Sequence, residues 1–280
     1  MTKRFYIALA LLVAAPALVF AQQTQSSLTI TVKGVSFNMI RVQGGSFTMG
    51  CTSEQGSDCC DDEKPSHTVT LSTYYIGETE VTQELWKAVM GSNPSYYQCD
   101  LRPVDRIDWS DCQEFIRRLN ELTGKKFRLP TEAEWEFAAR GGTKSAGYKY
   151  SGSNDIYEVA RYLESIKMMA KIHQAGTDED YEKALEYVIK NYTSVKSGKP
   201  NELGIYNMSG SVSEWCSDWY GKYTDGALSN PQGPSSGSRR VFRGGSWGDD
   251  AVYCRSSYRG NNCPPRRAHG PIGLRLVLVP

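Results

Sequence analysis

The sequence predicts an α+β domain, and three observations predict it. Alternating, β-branched segments read as strands at residues 28–32, 39–42 and 67–71. Capped amphipathic stretches read as helices at residues 82–90, 110–124, from 131 onward and within 156–192. Glycine-, serine- and proline-rich loops join these pieces, with no 20–50-residue repeat and no low-complexity tract. The 280 residues are 40% apolar and 11% aromatic, enough for a sizeable core. A net charge of +1 without long single-sign runs excludes a nucleic-acid footprint and an acidic tail.

The N-terminus has the three parts of a secretory signal: Lys3 and Arg4, an uncharged run over residues 5–20, and Val19-Phe20-Ala21 before Gln22. Cleavage is expected after Ala21, which makes the mature chain an exported protein that is periplasmic, on the cell surface or extracellular. The alternative, a retained anchor, is short for a span and is interrupted by Pro16. No cysteine follows the cleavage site, which argues against a lipid anchor there. Eight cysteines in an oxidising compartment predict disulfides of undetermined pairing, with the neighbours Cys59 and Cys60 joined to different partners.

After the first two strands, the glycine-rich residues 44–50 read as a turn, followed by an acidic loop with three cysteines. Phe115, Ile116, Leu119 and Leu122 mark the buried face of the second helix, which ends at Gly124. Thr131 is placed to cap the third helix, and Glu134 completes a capping box. Glu132, Glu134 and Glu136, at steps of two, face different ways on a helix. They read as capping and surface charge in preference to an acid–base pair. Residues 156–192 read as a helical hairpin or two helices, with Val159, Tyr162, Leu163 and Ile166 on one amphipathic face. Tyr181, Leu185, Val188 and Ile189 mark the other, with Asp178 as its cap.

Residues 204–219 mix glycines, aromatics and oxygen-bearing side chains. Asn207, Gly210, Val212 and Glu214 stand at relative positions one, four, six and eight. A loop curling round one point can aim two side-chain and two carbonyl oxygens inward, a donor set that calcium accepts. The competing reading is a polar loop whose Asn and Glu cap neighbouring backbone, and the D-x-[DN]-x-[DN]-G calcium pattern is absent. His67, His173 and His269 have no paired-ligand spacing, and neither a Gly-x-Ser-x-Gly turn nor a Walker phosphate loop is present.

Several stretches occur in a fixed order: Gly44 to Gly50, Glu80-Val81-Thr82, Arg128 to Gly142, Asn201 to Gly210, Arg243-Gly244-Gly245-Ser246-Trp247 and Ile272-Gly273-Leu274-Arg275. In that order they resemble the formylglycine-generating enzyme (sulfatase-modifying factor) family over residues 36–280. The resemblance implies a loop-rich fold of the C-type-lectin-like kind. A signal at 1–21 and a leader with a strand at 22–35 precede it, and the helical material at 156–192 is an insertion. It also places Asn207, Gly210, Val212 and Glu214 on the family's calcium loop, and makes Ca2+ the expected ion.

The family's oxidases hold Cu+ between two cysteines five positions apart and convert the cysteine of a Cys-x-Pro-x-Arg peptide to formylglycine. By the same resemblance, Cys254 falls on the second cysteine and Ser246 on the active-site serine. Asp249 replaces the first cysteine, and a carboxylate is a poor substitute for a soft thiolate. Ser213 replaces a tryptophan usual in oxidases, and Leu274 a phenylalanine. Cys263-Pro264-Pro265-Arg266-Arg267 itself satisfies the substrate pattern, although a disulfide half in a proline-stiffened loop is the plainer reading. The expectation is an exported calcium-binding member with a binding or scaffold role toward a protein or peptide partner. The insertion is the candidate partner surface. The alternative is a divergent copper oxidase using Cys254 and Ser246.

Overall fold

A computed structural model describes residues 26–173, 178–192, 194–260 and 270–280. The signal, its cleavage site, Cys263, the stretch to Arg267 and His269 lie outside the described residues, as do the side chains of Asp178 and Ile189.

The first half of the chain supplies strands β1 (Ser27–Val32), β2 (Val35–Val42), β3 (Gly45–Met49), β4 (His67–Leu71) and β5 (Tyr74–Gly77), followed by helices α1 (Gln83–Met90) and α2 (Trp109–Thr123), strand β6 (Phe127–Arg128) and helix α3 (Glu132–Ala139). Helices α4 (Ile156–Val159), α5 (Leu163–His173) and α6 (Asp178–Tyr192) come next. Strands β7 (Ser213–Trp219), β8 (Leu228–Ser229), β9 (Arg240–Arg243), β10 (Ile272–Gly273) and β11 (Val277–Leu278) complete the chain. Elements of both kinds are distributed over short, curled sheets, as an α+β domain requires.

One sheet has the order β1-β2-β5-β11-β6, so the last strand of the chain lies between strands from its first half. The leader strand β1 pairs antiparallel along β2 and belongs to this sheet. In a second sheet β7 runs between parallel β10 and antiparallel β9, and in a third β4 joins β3 to β8.

Within residues 44–50, expected as a turn, Gly45–Met49 form β3, antiparallel to β4. The glycines serve close approach: a Cβ on Gly44 would meet the Leu71 carbonyl oxygen at 2.5 Å.

Local capping sets the helices. The Thr82 hydroxyl accepts from Leu85 N–H at the start of α1. Asp108 and Asp111 form a capping box that starts α2 just before Ser110, and Gly124, at φ 66, ends it. Thr131 and Glu134 form the expected box on α3. The first core cluster packs α1 and α2 under the five-stranded sheet through Met39, Leu85, Trp86, Phe115 and Leu276. Trp86 and Phe115 stack at 4.9 Å. Leu122, expected on this buried face, is exposed. A second cluster surrounds α3 with Val42, Tyr74, Trp135, Cys216 and Val277. Burial of each such large side chain contributes about 1.5–3 kcal/mol.

The inserted hairpin of α5 and α6 has a small core of its own, Ile166, Ala170, Ala184 and Val188, seated on Tyr97 and Trp247. Val159 and Tyr162 turn elsewhere and pack with Tyr150, Ile156 and Cys254. Among the described residues, no helix is long and apolar enough to cross a membrane.

Candidate functional site

The loop leading into β7 is built by left-handed backbone. Asn207 has φ 55, Gly210 φ 76 and Ser211 φ 65, a region glycine adopts freely and asparagine tolerates. A Cβ on Gly210 would meet the Arg161 carbonyl oxygen at 2.5 Å, so only glycine fits there. The loop is clamped by Gly210 N–H donating to the Gly244 carbonyl and Ser211 N–H to the Arg161 carbonyl, both at 2.8 Å.

Within this clamp, several buried polar atoms have no partner. Asn207 is 3% exposed; its amide nitrogen donates to Glu80 Oε2 at 3.4 Å and to the Ser194 carbonyl at 3.3 Å, but its Oδ1 is unsatisfied. Glu80 Oε1 is likewise buried and unpaired. Burial, opposed by Arg275 and reinforced by the Glu214 charge, pushes the Glu80 carboxyl up to about 8. Ser211 Oγ lies beside Glu80 and helps hold its charge without completing a hydrogen bond. An orphaned buried oxygen costs about 1–3 kcal/mol, and the three around this loop are hard donors that a cation such as calcium could take. Glu80 was overlooked in the sequence; the signal was its position at the head of Glu80-Val81-Thr82, with no charged neighbour in sequence to pair with.

Glu214 differs. Both its oxygens accept from Arg275, Oε1 from Nη2 at 2.6 Å and Oε2 from Nε at 2.9 Å, and Oε2 also accepts from the Trp135 indole at 2.7 Å. Arg275 continues to the carbonyls of Gly77 and Tyr206 at 2.9 and 2.8 Å, tying β5, β7 and the C-terminal segment together.

The α3 carboxylates are not surface charge. Glu132, Glu134 and Glu136 are 5%, 8% and 0% exposed. Glu132 takes Arg243 Nη1 and Arg259 Nε at 2.7 Å, and Glu136 takes Arg243 Nη2 at 2.6 Å and Arg140 Nε at 2.8 Å. Glu134 takes a two-pronged contact from Arg128 at 2.6 and 2.7 Å. Although burial raises it, Arg259 and Arg243 together hold the Glu132 carboxyl down to about 2. The helix is enclosed on every side, so a period argument about which face meets water did not apply.

At the position of the oxidase site, the Ser246 hydroxyl donates to Asp249 Oδ2 at 2.5 Å. Cys254 has no exposure; its thiol lies among Tyr150, Ile156, Val159, Ala160 and Tyr162 and makes one weak contact, 3.8 Å to the Asp250 carbonyl. Burial, aided by Asp249, pushes this thiol well above its ordinary range. A carboxylate held by serine and a protonated thiol in an apolar pocket do not suit Cu+, which selects paired soft thiolates. Ser213 is buried at the head of β7.

Of the expected disulfides, Cys51–Cys59 is present, and among the described residues Cys60, Cys99, Cys112, Cys216 and Cys254 take no disulfide partner. Cys112 and Cys216 behave as small apolar residues of the two main cores.

The model of the sulfatase-modifying factor enzyme 1-like domain matches residues 29–279. A protein named chaperone protein LppX, from Paenibacillus barcinonensis, is 34% identical across 95% of this chain and 96% of its own. A formylglycine-generating enzyme of Streptomyces coelicolor is 30% identical across 85% of this chain and 88% of its own. Among solved structures, Treponema denticola variable protein 1 superposes with TM-score 0.73 at 32% identity, covering 92% of this chain and 100% of that one. PvdO from Pseudomonas aeruginosa superposes with TM-score 0.65 at 24% identity, over 87% and 94%, a likeness of fold. The chain belongs to the sulfatase-modifying factor, or formylglycine-generating enzyme, family.

Proposed function

We propose that this protein is an exported, calcium-stabilised binding protein that keeps the family's architecture and lacks its oxidase chemistry. The observation that carries the second half is the Ser246–Asp249 hydrogen bond over a fully buried Cys254. Among the described residues Cys254 has no second thiol beside it, and residues 150–162 seal it from a peptide substrate.

For calcium, the ligand set is Asn207 and Glu214 through side chains and Gly210 and Val212 through carbonyls, joined by Glu80. Bound calcium supplies positive charge to unpaired buried oxygens. Asn207 Oδ1 and Glu80 Oε1 support this reading directly, and the ion competes with Arg275 for Glu214. Export rests on Lys3, Arg4 and the apolar run to Phe20. A binding role toward an exported protein or peptide fits the kinship with a protein named a chaperone.

The test is turnover. Purified mature protein, loaded with Cu+ and supplied with oxygen and a Cys-x-Pro-x-Arg peptide, is expected to leave the cysteine unchanged by mass spectrometry. Aldehyde formation that disappears in Cys254→Ser would establish the oxidase instead.

A further inference from the structure

Asp218, four residues beyond Glu214 on β7, floors a cavity of about 390 Å³ that shares no lining residue with the calcium loop or the Ser246–Cys254 region. Its walls include Met49, Trp219, Tyr223, Leu228, Pro231 and Pro234, a largely apolar enclosure of the size that holds small ligands. The cavity is shaped by glycine: Gly233, at φ 69, brings the loop so near that a Cβ would lie 3.0 Å from Asp218 Oδ1.

Asp218 is 4% exposed. Its Oδ2 accepts from Glu132 N–H at 2.9 Å and the Ser217 hydroxyl at 3.0 Å, whereas its Oδ1 takes no hydrogen bond among the described residues. The other polar groups of the floor are committed. Glu132 is held by Arg243 and Arg259, the three nitrogens of Arg259 all donate, the Tyr223 hydroxyl donates to Glu132 at 3.3 Å, and His67 Nδ1 meets the Pro65 carbonyl at 3.1 Å. Lys222, Thr224 and Gln232 also line the cavity, and of its carboxylate oxygens Asp218 Oδ1 is the one without a hydrogen bond among the described residues.

An anion would find no uncommitted donor at Asp218, and the guanidinium groups nearby are engaged by Glu132 and the Asp62 and Ser217 carbonyls. A neutral apolar molecule would bury Asp218 without a partner. A guanidinium prefers two carboxylate oxygens side by side, and Oδ2 is already occupied. We propose that this cavity binds a primary ammonium group on an apolar stem, the nitrogen donating to Asp218 Oδ1 and the stem packing among Trp219, Tyr223 and Pro231. Trp219 and Tyr223 already carry the guanidinium groups of Arg240 and Arg259 on their rings, so they meet the ligand as apolar walls for its stem.

Burial, together with the Glu132 charge, pushes the Asp218 carboxyl up to about 7. An arriving cation ionises it, so binding strengthens as pH rises through that value. Glu132, Glu134, His67, Tyr223, Arg240, Arg259 and, at the rim, Lys222 are the titratable or charged groups around it.

The experiment is an NMR titration of the full mature chain with n-butylammonium, n-butanol and Nα-acetyl-lysine methylamide. Butylammonium is expected to bind about tenfold or more tightly than butanol, with shifts confined to the cavity. Asp218→Asn and the cavity-filling Leu228→Trp are each expected to weaken it about tenfold, and the pH dependence is expected to vanish in Asp218→Asn. Tighter binding of the lysine derivative identifies a protein side chain as the source, and tighter binding of butylammonium a free amine. Equal binding of butanol, unchanged affinity in both variants, or no saturable binding would overturn the proposal. None of these outcomes depends on calcium or copper.

Discussion

Two buried polar centres lie on either side of Trp135, and they are finished to different degrees. Around α3, every oxygen of Glu132, Glu134 and Glu136 is engaged, chiefly by arginines from β6, β9 and the segment after it. Around the loop at 207–214, Arg275 satisfies Glu214, yet Glu80 Oε1, Asn207 Oδ1 and Ser211 Oγ remain without hydrogen bonds. The carboxylates of the first centre are satisfied by the chain itself, although Arg243 Nε is left without a hydrogen bond. On the calcium reading proposed above, a positive ion completes the second, and the two centres separate charge that holds the fold from charge available to a ligand.

The sharpest way to break the contrast is at the complete centre. Arg243→Ala removes the partner of two buried carboxylates and is expected to cost about 3–5 kcal/mol, read by urea denaturation. A loss as small as that of a surface pair would contradict the assignment.

The carboxyls also differ in pH response. Asp218, raised to about 7, binds a proton more tightly folded than unfolded. Its protonation stabilises the fold at low pH, and that contribution is lost as pH rises from about 4 to about 7. Glu132, lowered to about 2, acts oppositely: its contribution is present above its unfolded value and is lost as pH falls toward 2. Denaturation midpoints of wild type and Asp218→Asn are expected to converge at pH 4 and separate by pH 7, by up to about 4 kcal/mol from a shift of about three units. Parallel curves across this range would remove the Asp218 assignment.

At the incomplete centre, calcium at about a hundred times its Kd should add about 2.7 kcal/mol, seen as a higher melting temperature that EGTA reverses. Glu80→Gln is expected to abolish most of that gain while leaving the metal-free protein about as stable, since burial already keeps the Glu80 carboxyl largely protonated near neutral pH. The smallest effect belongs to the helix start. Thr131→Ala should cost about 1 kcal/mol through loss of its cap to Glu134 N–H.

What was legible in the sequence was local. Thr82 before α1, the stop of α2 at Gly124, the Thr131–Glu134 box and strand β4 all depend on residues a few positions apart, and they stand where expected. What was not legible depends on distant partners. Glu132 meets Arg243 and Arg259 across 111 and 127 positions, so its spacing along the helix carried no sign of burial. The glycines at 44 and 45 read as a turn because their roles depend on distant residues: Gly44 closely approaches the end of β4 at Leu71, and Gly45 leaves room for Thr143 and Phe137. Cysteine number suggested a disulfide network, but Cys112, Cys216 and Cys254 are core-filling thiols. At the candidate sites, Asn207, Gly210 and the loss at Asp249 could be read from order along the chain. Glu80 and Asp218 became visible only with their surroundings.

The most direct measurement is a calcium titration of the metal-free mature protein by calorimetry, alongside Asn207→Ala and Glu80→Gln. The account predicts one saturable site in the wild type, weakened about tenfold or more in each variant. Absence of binding, or unchanged affinity in both variants, would contradict it.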